Sequence, residues 1–147
     1  MNGKSLNTPL ILHKKRSMKG YALFFKQLVQ LLNTADENLA QQLISPNAQF
    51  YISNSIEVFE GPIGYLKIIE GIQNHFHNVR WEIDDITIVK DNYCLRFLIN
   101  AMDNNVLMDN KSNQMYVTNT YHLANNQIIE GYDNTRDILH QKGISSN

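Results

Sequence analysis

The sequence is poor in the residues that would point to disulfide, metal or strongly electrostatic chemistry. Its 147 residues include one cysteine, Cys94, which excludes an internal disulfide and a cysteine-based metal cluster. Lysine and arginine number 13 against 14 aspartates and glutamates, and this near-neutral balance gives no reason to expect nucleic acid as a partner. Since no apolar run approaches the roughly 18 residues of a membrane span, we expect no membrane partner either.

Targeting and metal-binding patterns are also missing. The first residues lack the apolar core of a secretory signal, so we expect a cytoplasmic protein. His75 and His77 lie two positions apart, not at the i, i+4 spacing of a helical metal pair, and we therefore expect no metal. We expect no cofactor either. The remaining composition, 43% hydrophobic and 18% charged, is ordinary for a globular chain of one domain.

What the chain does contain is a succession of periodic segments. Residues 1–16 show no sustained period and end in the basic run 13–16, which predicts a flexible N-terminal tail before a single domain over residues 17–147. Apolar residues at helical spacing predict a helix capped by Ser17, a second short helix capped by Asp36 and a third that opens at Gly61-Pro62. The expected buried stripe of the third helix is Ile63, Leu66, Ile69, Ile72 and Phe76.

Strand patterns occupy most of the remaining chain. They cover residues 48–54, 58–60, 79–90, 92–102, 114–124 and 127–137, with short turns at 90–92 and 125–126. The order α-α-β-β-α-β-β-β-β lacks βαβ alternation. It predicts an α+β domain in which helices pack on one face of a curved antiparallel sheet.

Five local motifs, in this order, resemble the SnoaL-like polyketide cyclases of the nuclear transport factor 2-like superfamily. They are residues 32–36 (LNTAD) leading to Leu43, 46–50 (PNAQF), 60–61 (EG), 76–83 (FHNVRWEI), and 128–133 (IIEGYD) with 141–143 (QKG). The likeness covers about residues 18–144. It implies a cone, in which a curved antiparallel sheet wraps around three helices and leaves an apolar pocket at its open end.

Strand alternation sorts the side chains into two faces. In residues 116–123 the more apolar set is Val117, Asn119, Tyr121 and Leu123, which we assign to the interior. In the last strand the interior set is either Ile129, Gly131, Asp133 and Thr135 or Ile128, Glu130, Tyr132 and Asn134, and resemblance to the superfamily's ketosteroid isomerases favours the first.

Asp133 also falls where the cyclases keep an acid–base aspartate, and burial in an apolar pocket would raise its pKa toward neutrality. The alternative is an exposed or helix-capping aspartate. Arg96, in the middle of an apolar strand, is expected to form a structural ion pair rather than to hold an acidic ligand.

The chain departs from the related enzymes at three positions. Asn119 stands where the cyclases have a histidine partner, Asn54 stands near the general base of the isomerases, and Leu28 stands near their helix-one tyrosine. An amide cannot take up a proton at neutral pH, which argues against the isomerase mechanism, but it can orient a carbonyl or hydroxyl group. The expected ligand contacts are Asn54, Asn119, Tyr121, Phe50 and Phe25.

Two kinds of function stay open. The first is binding of a small, mostly apolar molecule with a carbonyl or hydroxyl group, with acid–base turnover of the cyclase or isomerase type through Asp133. The second is a non-catalytic ligand-binding or dimerisation module. A cavity of several hundred Å3 reached by Asp133 would favour the first, and closure by Phe24, Phe25, Phe50 and Tyr121 the second. Apolar residues on both faces of residues 92–102 predict a homodimer through the convex face of the sheet.

Overall fold

Three helices and six strands form the described part of the chain, residues 7–103 and 113–138 of a computed structural model. The helices are α1 (Asn7–Thr34), α2 (Glu37–Leu43) and α3 (Gly61–Gln73), and the strands are β1 (Ile44–Ile52), β2 (Val58–Glu60), β3 (Phe76–Val89), β4 (Asn92–Asp103), β5 (Asn113–Ala124) and β6 (Gln127–Asp133). This is the predicted element order. Over these two ranges no helix is both long and apolar enough to cross a membrane.

The six strands form one sheet in the order β2-β1-β6-β5-β4-β3. Neighbouring strands are antiparallel except β1 and β6, which are parallel. The prediction of a purely antiparallel sheet is therefore wrong at this one pair, where no tight turn joins the two strands and dictates their direction. Register shifts within β3, β1 and the β5–β6 pair bend the sheet, which curves over the helices without closing.

The predicted ends of several elements differ from the structure. Helix α1 begins at Asn7, so Ser17 lies within the helix and is not its N-cap. Asp36 is confirmed as the cap of α2, because its Oδ1 accepts a hydrogen bond from the Leu39 amide at 3.1 Å. The last strand ends at Asp133, not at residue 137, and a turn follows. The division between a tail at 1–16 and a domain at 17–147 stays a prediction.

The core lies between the helices and the concave face of the sheet. Helix α1 contributes Phe24, Phe25, Leu28 and Leu31, and strands β4 and β5 contribute every second residue, as alternation predicts. Helix α3 turns Tyr65, Ile68, Ile69 and Ile72 inward. Ile63 is 69% exposed, contrary to the predicted stripe, because it lies two positions from Tyr65 and thus on the opposite side of the helix.

Candidate functional site

The end of β6 brings Asp133 into the core. Its side chain is 1% exposed, whereas that of Tyr132 beside it is 54% exposed. The predicted inward set is confirmed for Gly131, Asp133 and Thr135. It is wrong for Ile129, which is exposed while Ile128 is buried, because a register shift opposite His122 and Leu123 reverses the alternation.

The Asp133 carboxylate is held by neutral hydrogen-bond donors. The Thr135 amide donates to Oδ1 at 2.7 Å, and Asn119 Nδ2 lies 3.3 Å from Oδ2. Burial raises the pKa of Asp133 to about 6, although the hydrogen bonds from Thr135 and the charge of Arg136 oppose this rise. A carboxyl group with this pKa can both accept and release a proton near neutral pH.

Asn119 connects the groups around this carboxylate. Its Nδ2 lies 3.2 Å from the Tyr121 hydroxyl and 3.1 Å from Thr135 Oγ1, in addition to its contact with Asp133. Its Oδ1 accepts a hydrogen bond from the Asn134 amide at 2.7 Å. The two N–H groups of one amide are therefore shared among three acceptors, and Asn119 fixes the positions of all three without taking up a proton.

A pair of tyrosine hydroxyls extends the network toward helix α3. The hydroxyls of Tyr65 and Tyr121 lie 2.8 Å apart, and both side chains are fully buried. Burial, with the nearby Asp133 charge, raises the pKa of each tyrosine, so both hydroxyls stay protonated at ordinary pH. The hydrogen bond between the two hydroxyls uses the hydrogen of one of them, and Asn119 Nδ2 is a further donor to the Tyr121 hydroxyl. The second hydroxyl hydrogen thus has no acceptor among the contacts described for residues 7–103 and 113–138.

The structure brings together some of the predicted ligand contacts and not others. Phe50 joins the cluster, because its ring packs against Tyr65 with centroids 4.7 Å apart. Phe25 lies instead in an aromatic group formed with Tyr93 of β4 and with a neighbouring aromatic ring of α1. Asn54 is exposed in the turn after β1, so its predicted place on the inner face is wrong. The strand ends at Ile52, and its alternation does not continue to Asn54.

Tyr65 was absent from the predicted site. It lies within the buried face of α3, where a tyrosine among isoleucines indicates a hydroxyl that needs a partner in the core. Its position relative to Asp133 depends on how α3 packs across the sheet, which the sequence pattern does not specify.

The clefts lined by described residues lie away from Asp133. Two clefts are lined by described residues, one of about 400 Å3 between α1, the end of α2 and the β5–β6 turn, and one of about 280 Å3 between α2 and α3. Asp133 lines neither of them. Phe24, Phe25, Phe50 and Tyr121 are all buried. Within residues 7–103 and 113–138 no group of three or more histidines, cysteines or acidic residues could hold a metal ion. The absence of a metal or cofactor stays an expectation.

Comparison with known proteins identifies the fold. No protein-family model matches the sequence, and no curated protein matches it. Among solved structures, a candidate SnoaL-like polyketide cyclase from Jannaschia sp. CCS1 is 13% identical, with a TM-score of 0.61 over 84% of this chain and 92% of that one. IdmH, a candidate polyketide cyclase from Streptomyces antibioticus, is 19% identical, with a TM-score of 0.61 over 82% and 96%. AclR, a candidate hydroxylase from Streptomyces galilaeus, is 18% identical, with a TM-score of 0.65 over 86% of each chain.

These likenesses confirm the predicted fold. The chain is an α+β cone of the nuclear transport factor 2-like type, with three helices and a curved, open, mixed sheet. It shares this fold with SnoaL-like polyketide cyclases. Because one fold supports many activities, function has to be argued from the site itself.

Proposed function

We propose that the protein binds a small, mostly apolar molecule with a carbonyl or hydroxyl oxygen inside the cone, beside Asp133. We further propose that Asp133 acts on this ligand as the acid–base group of a cyclase- or isomerase-type reaction. One observation supports this most strongly: a fully buried carboxylate with a pKa of about 6, bonded to neutral donors. Burial of a carboxylate is costly, and a structural role would not require its pKa to lie near neutrality.

The proposed chemistry is a proton transfer at carbon. The Asp133 carboxylate removes a proton from the carbon next to the ligand carbonyl, and the C–H electron pair moves to form an enolate. The protonated carboxyl then returns the proton to the ligand. In an isomerisation the proton goes to another carbon of the enolate system. In a cyclisation the enolate carbon attacks a second carbonyl, and the proton goes to the alkoxide oxygen that this attack forms. Each step conserves protons and electrons and needs no external oxidant or reductant.

The tyrosine pair supplies a complementary donor. An enolate oxygen carries the developing negative charge, and a preoriented neutral hydroxyl stabilises it. The hydroxyl hydrogen of the Tyr65–Tyr121 pair that has no acceptor among the described residues has the required chemistry. Asn119 holds both Tyr121 and Asp133, and so would keep the base and the donor in fixed relation.

A second candidate function is a non-catalytic ligand-binding or dimerisation module. The burial of Phe24, Phe25, Phe50 and Tyr121 favours it, as does the absence of Asp133 from both clefts lined by the described residues.

Hydrogen–deuterium exchange at carbon separates the two candidates without the natural substrate. We would select small aryl ketones that raise the Tm of the protein. Exchange of their α-hydrogens in D2O would then be followed by proton NMR. The parent should accelerate exchange, and Asp133→Asn should lower the rate by about 10²–10⁴-fold.

The matched control is Asp85→Asn, an exposed aspartate on β3, which should exchange like the parent. Ketone binding without exchange in the parent would favour the non-catalytic module. Equal exchange by parent and Asp133→Asn would remove the acid–base role.

A further inference from the structure

A cleft lies apart from Asp133, at the end of the sheet where β5 turns into β6. We propose that this cleft of about 400 Å3, here named the amide cleft, binds a neutral carbohydrate of one or two rings. Its volume lies within the range of small-molecule sites in proteins. It is distinct from the site proposed above, because neither Asp133 nor either tyrosine of the buried pair lines it.

The polar lining of the amide cleft consists mainly of side-chain amides. Gln27 comes from α1, Gln42 from α2, Asn125 and Asn126 from the β5–β6 turn and Gln127 from β6, and no charged residue is among the described residues that line the cleft. Gln127 Nε2 donates to the Gln42 carbonyl at 3.3 Å. A side-chain amide has both donors and an acceptor, which matches the dual capacity of a hydroxyl group. The amides come from three parts of the fold, namely α1, the end of α2 and the β5–β6 turn with the start of β6. That arrangement fits hydroxyls that radiate from a sugar ring better than the single edge of a planar base.

One wall of the amide cleft is apolar. Leu23 is 65% exposed on α1, and the partly buried ring of Tyr21 lies in the same wall. A sugar ring has an apolar C–H surface that would cover such a wall, while its hydroxyls face the amides. A charged ligand would find no opposite charge among the lining residues that the structure describes.

The turn at the rim is held in an uncommon conformation. Asn125 and Asn126 both have positive φ, 53° and 64°, in a two-residue turn. Such turns favour Asn followed by Gly, since glycine adopts the second left-handed position without strain. The chain keeps an amide side chain at position 126 instead. Asparagine adopts the left-handed region more readily than other non-glycine residues, so the turn accepts it, and its side chain lines the amide cleft.

The test is a titration of the full chain with glucose, N-acetylglucosamine, maltose and cellobiose, followed by 1H–15N correlation NMR. Saturable shifts should appear at the side-chain amides of Gln27, Gln42 and Asn126. Asn126→Gly should keep or raise the Tm, because it relieves the turn, yet weaken sugar binding about three- to tenfold, the worth of a lost hydrogen bond. Leu23→Ser should weaken binding without loss of folding.

Two matched controls use the same substitutions outside the cleft. Asn54→Gly changes another exposed asparagine with positive φ, and Ile56→Ser removes another exposed aliphatic side chain. Both should bind sugar like the parent. Shifts caused by uridine or adenosine but not by sugars would overturn the carbohydrate assignment. The absence of saturable shifts with either class would overturn the site.

Discussion

At Asp133, burial and hydrogen bonding act in opposite directions on one carboxyl group. Removal from water favours the neutral form, while the Thr135 hydrogen bonds favour the ionised form, and burial is the larger effect. The pKa in the folded chain, about 6, lies above the usual value of 3.8. The folded state therefore holds this proton more tightly than the unfolded chain does, and stability from this group is present at low pH and lost as the pH rises toward 6.

We predict that Asp133→Asn removes this pH dependence. The shift corresponds to a loss of about 3 kcal/mol in the free energy of unfolding of the parent between roughly pH 4 and pH 7. The variant does not lose this stability, because its side-chain amide does not titrate. Urea unfolding of parent and variant across this range measures the effect, and the difference between them cancels the contributions of other carboxylates. A difference that stays constant with pH would show that Asp133 is not desolvated as the structure places it.

Gly131 allows β6 to approach Phe50 closely. A Cβ at this position would lie 2.6 Å from Phe50 Cδ1 and 2.9 Å from Cε1, inside the contact distance of carbon atoms. We predict that Gly131→Ala lowers the free energy of unfolding by about 1–3 kcal/mol, because the Phe50 ring is packed against Tyr65. The control is Gly71→Ala in α3, where a Cβ meets nothing within 4 Å and better helix propensity should stabilise the protein by about 1 kcal/mol. Equal effects at both positions would contradict the proposed packing.

Sequence alternation placed Asn119 and Tyr121 in the interior, because they lie on a regular strand where alternate residues share a face. For the last strand it left two faces open, and the family resemblance favoured the face with Asp133. Alternation failed for Asn54, which lies beyond the end of β1, and for Ile129, where a register shift reverses the faces. Tyr65 was missed because its neighbours in the site come from β5, which is distant in sequence.

At the scale of elements, Asn33 connects the last turn of α1 to strand β3. Its Oδ1 accepts a hydrogen bond from the Trp81 amide at 2.7 Å, and its Nδ2 donates to the Trp81 carbonyl at 3.2 Å. One side chain thus completes the backbone hydrogen bonding of Trp81 and sets the position of the helix on the sheet.

We predict that Asn33→Ala lowers the free energy of unfolding by about 1–3 kcal/mol, since it leaves a partly buried amide and carbonyl without a partner. Asn38→Ala, at an exposed position of α2, is the control for the gain in helix propensity that any such change brings. Denaturant unfolding of both variants gives the comparison. A loss no greater at Asn33 than at Asn38 would show that this connection contributes nothing.

The order and type of the elements followed from periodicity, whereas several of their ends did not. Asp36 marks the start of α2 because a side-chain cap is a local signal. Helix α1 starts ten residues before Ser17, and the β1–β6 pair is parallel. The direction of that pair depends on contacts between the first and last strands, which no local pattern encodes.

At the scale of the whole molecule, the outer face of the sheet carries apolar and aromatic side chains. Leu98 and Tyr116 lie opposite each other on β4 and β5, and Tyr132 stacks on Tyr51 with centroids 5.3 Å apart. Arg96 forms the ion pair expected from the sequence, since its Nε lies 2.9 Å from Asp84 Oδ2, and it also covers the Tyr116 ring at 4.5 Å. The charge of Arg96 at this face is thus bonded within the chain.

We propose that this outer face joins two copies of the chain in a homodimer. Apolar side chains on both faces of a sheet need cover on both, and the helices cover only the concave one.

Light scattering after size exclusion should give twice the chain mass. Tyr132→Glu together with Leu98→Glu should shift the protein to a monomer, since dimerisation would then bury carboxylates without partners. The control, Ile63→Glu, places the same charge at an exposed position of α3 and should leave the dimer intact. A parent that stays monomeric at high concentration would contradict the proposal, and dissociation by Ile63→Glu but not by the double variant would move the interface to the helical side of the cone.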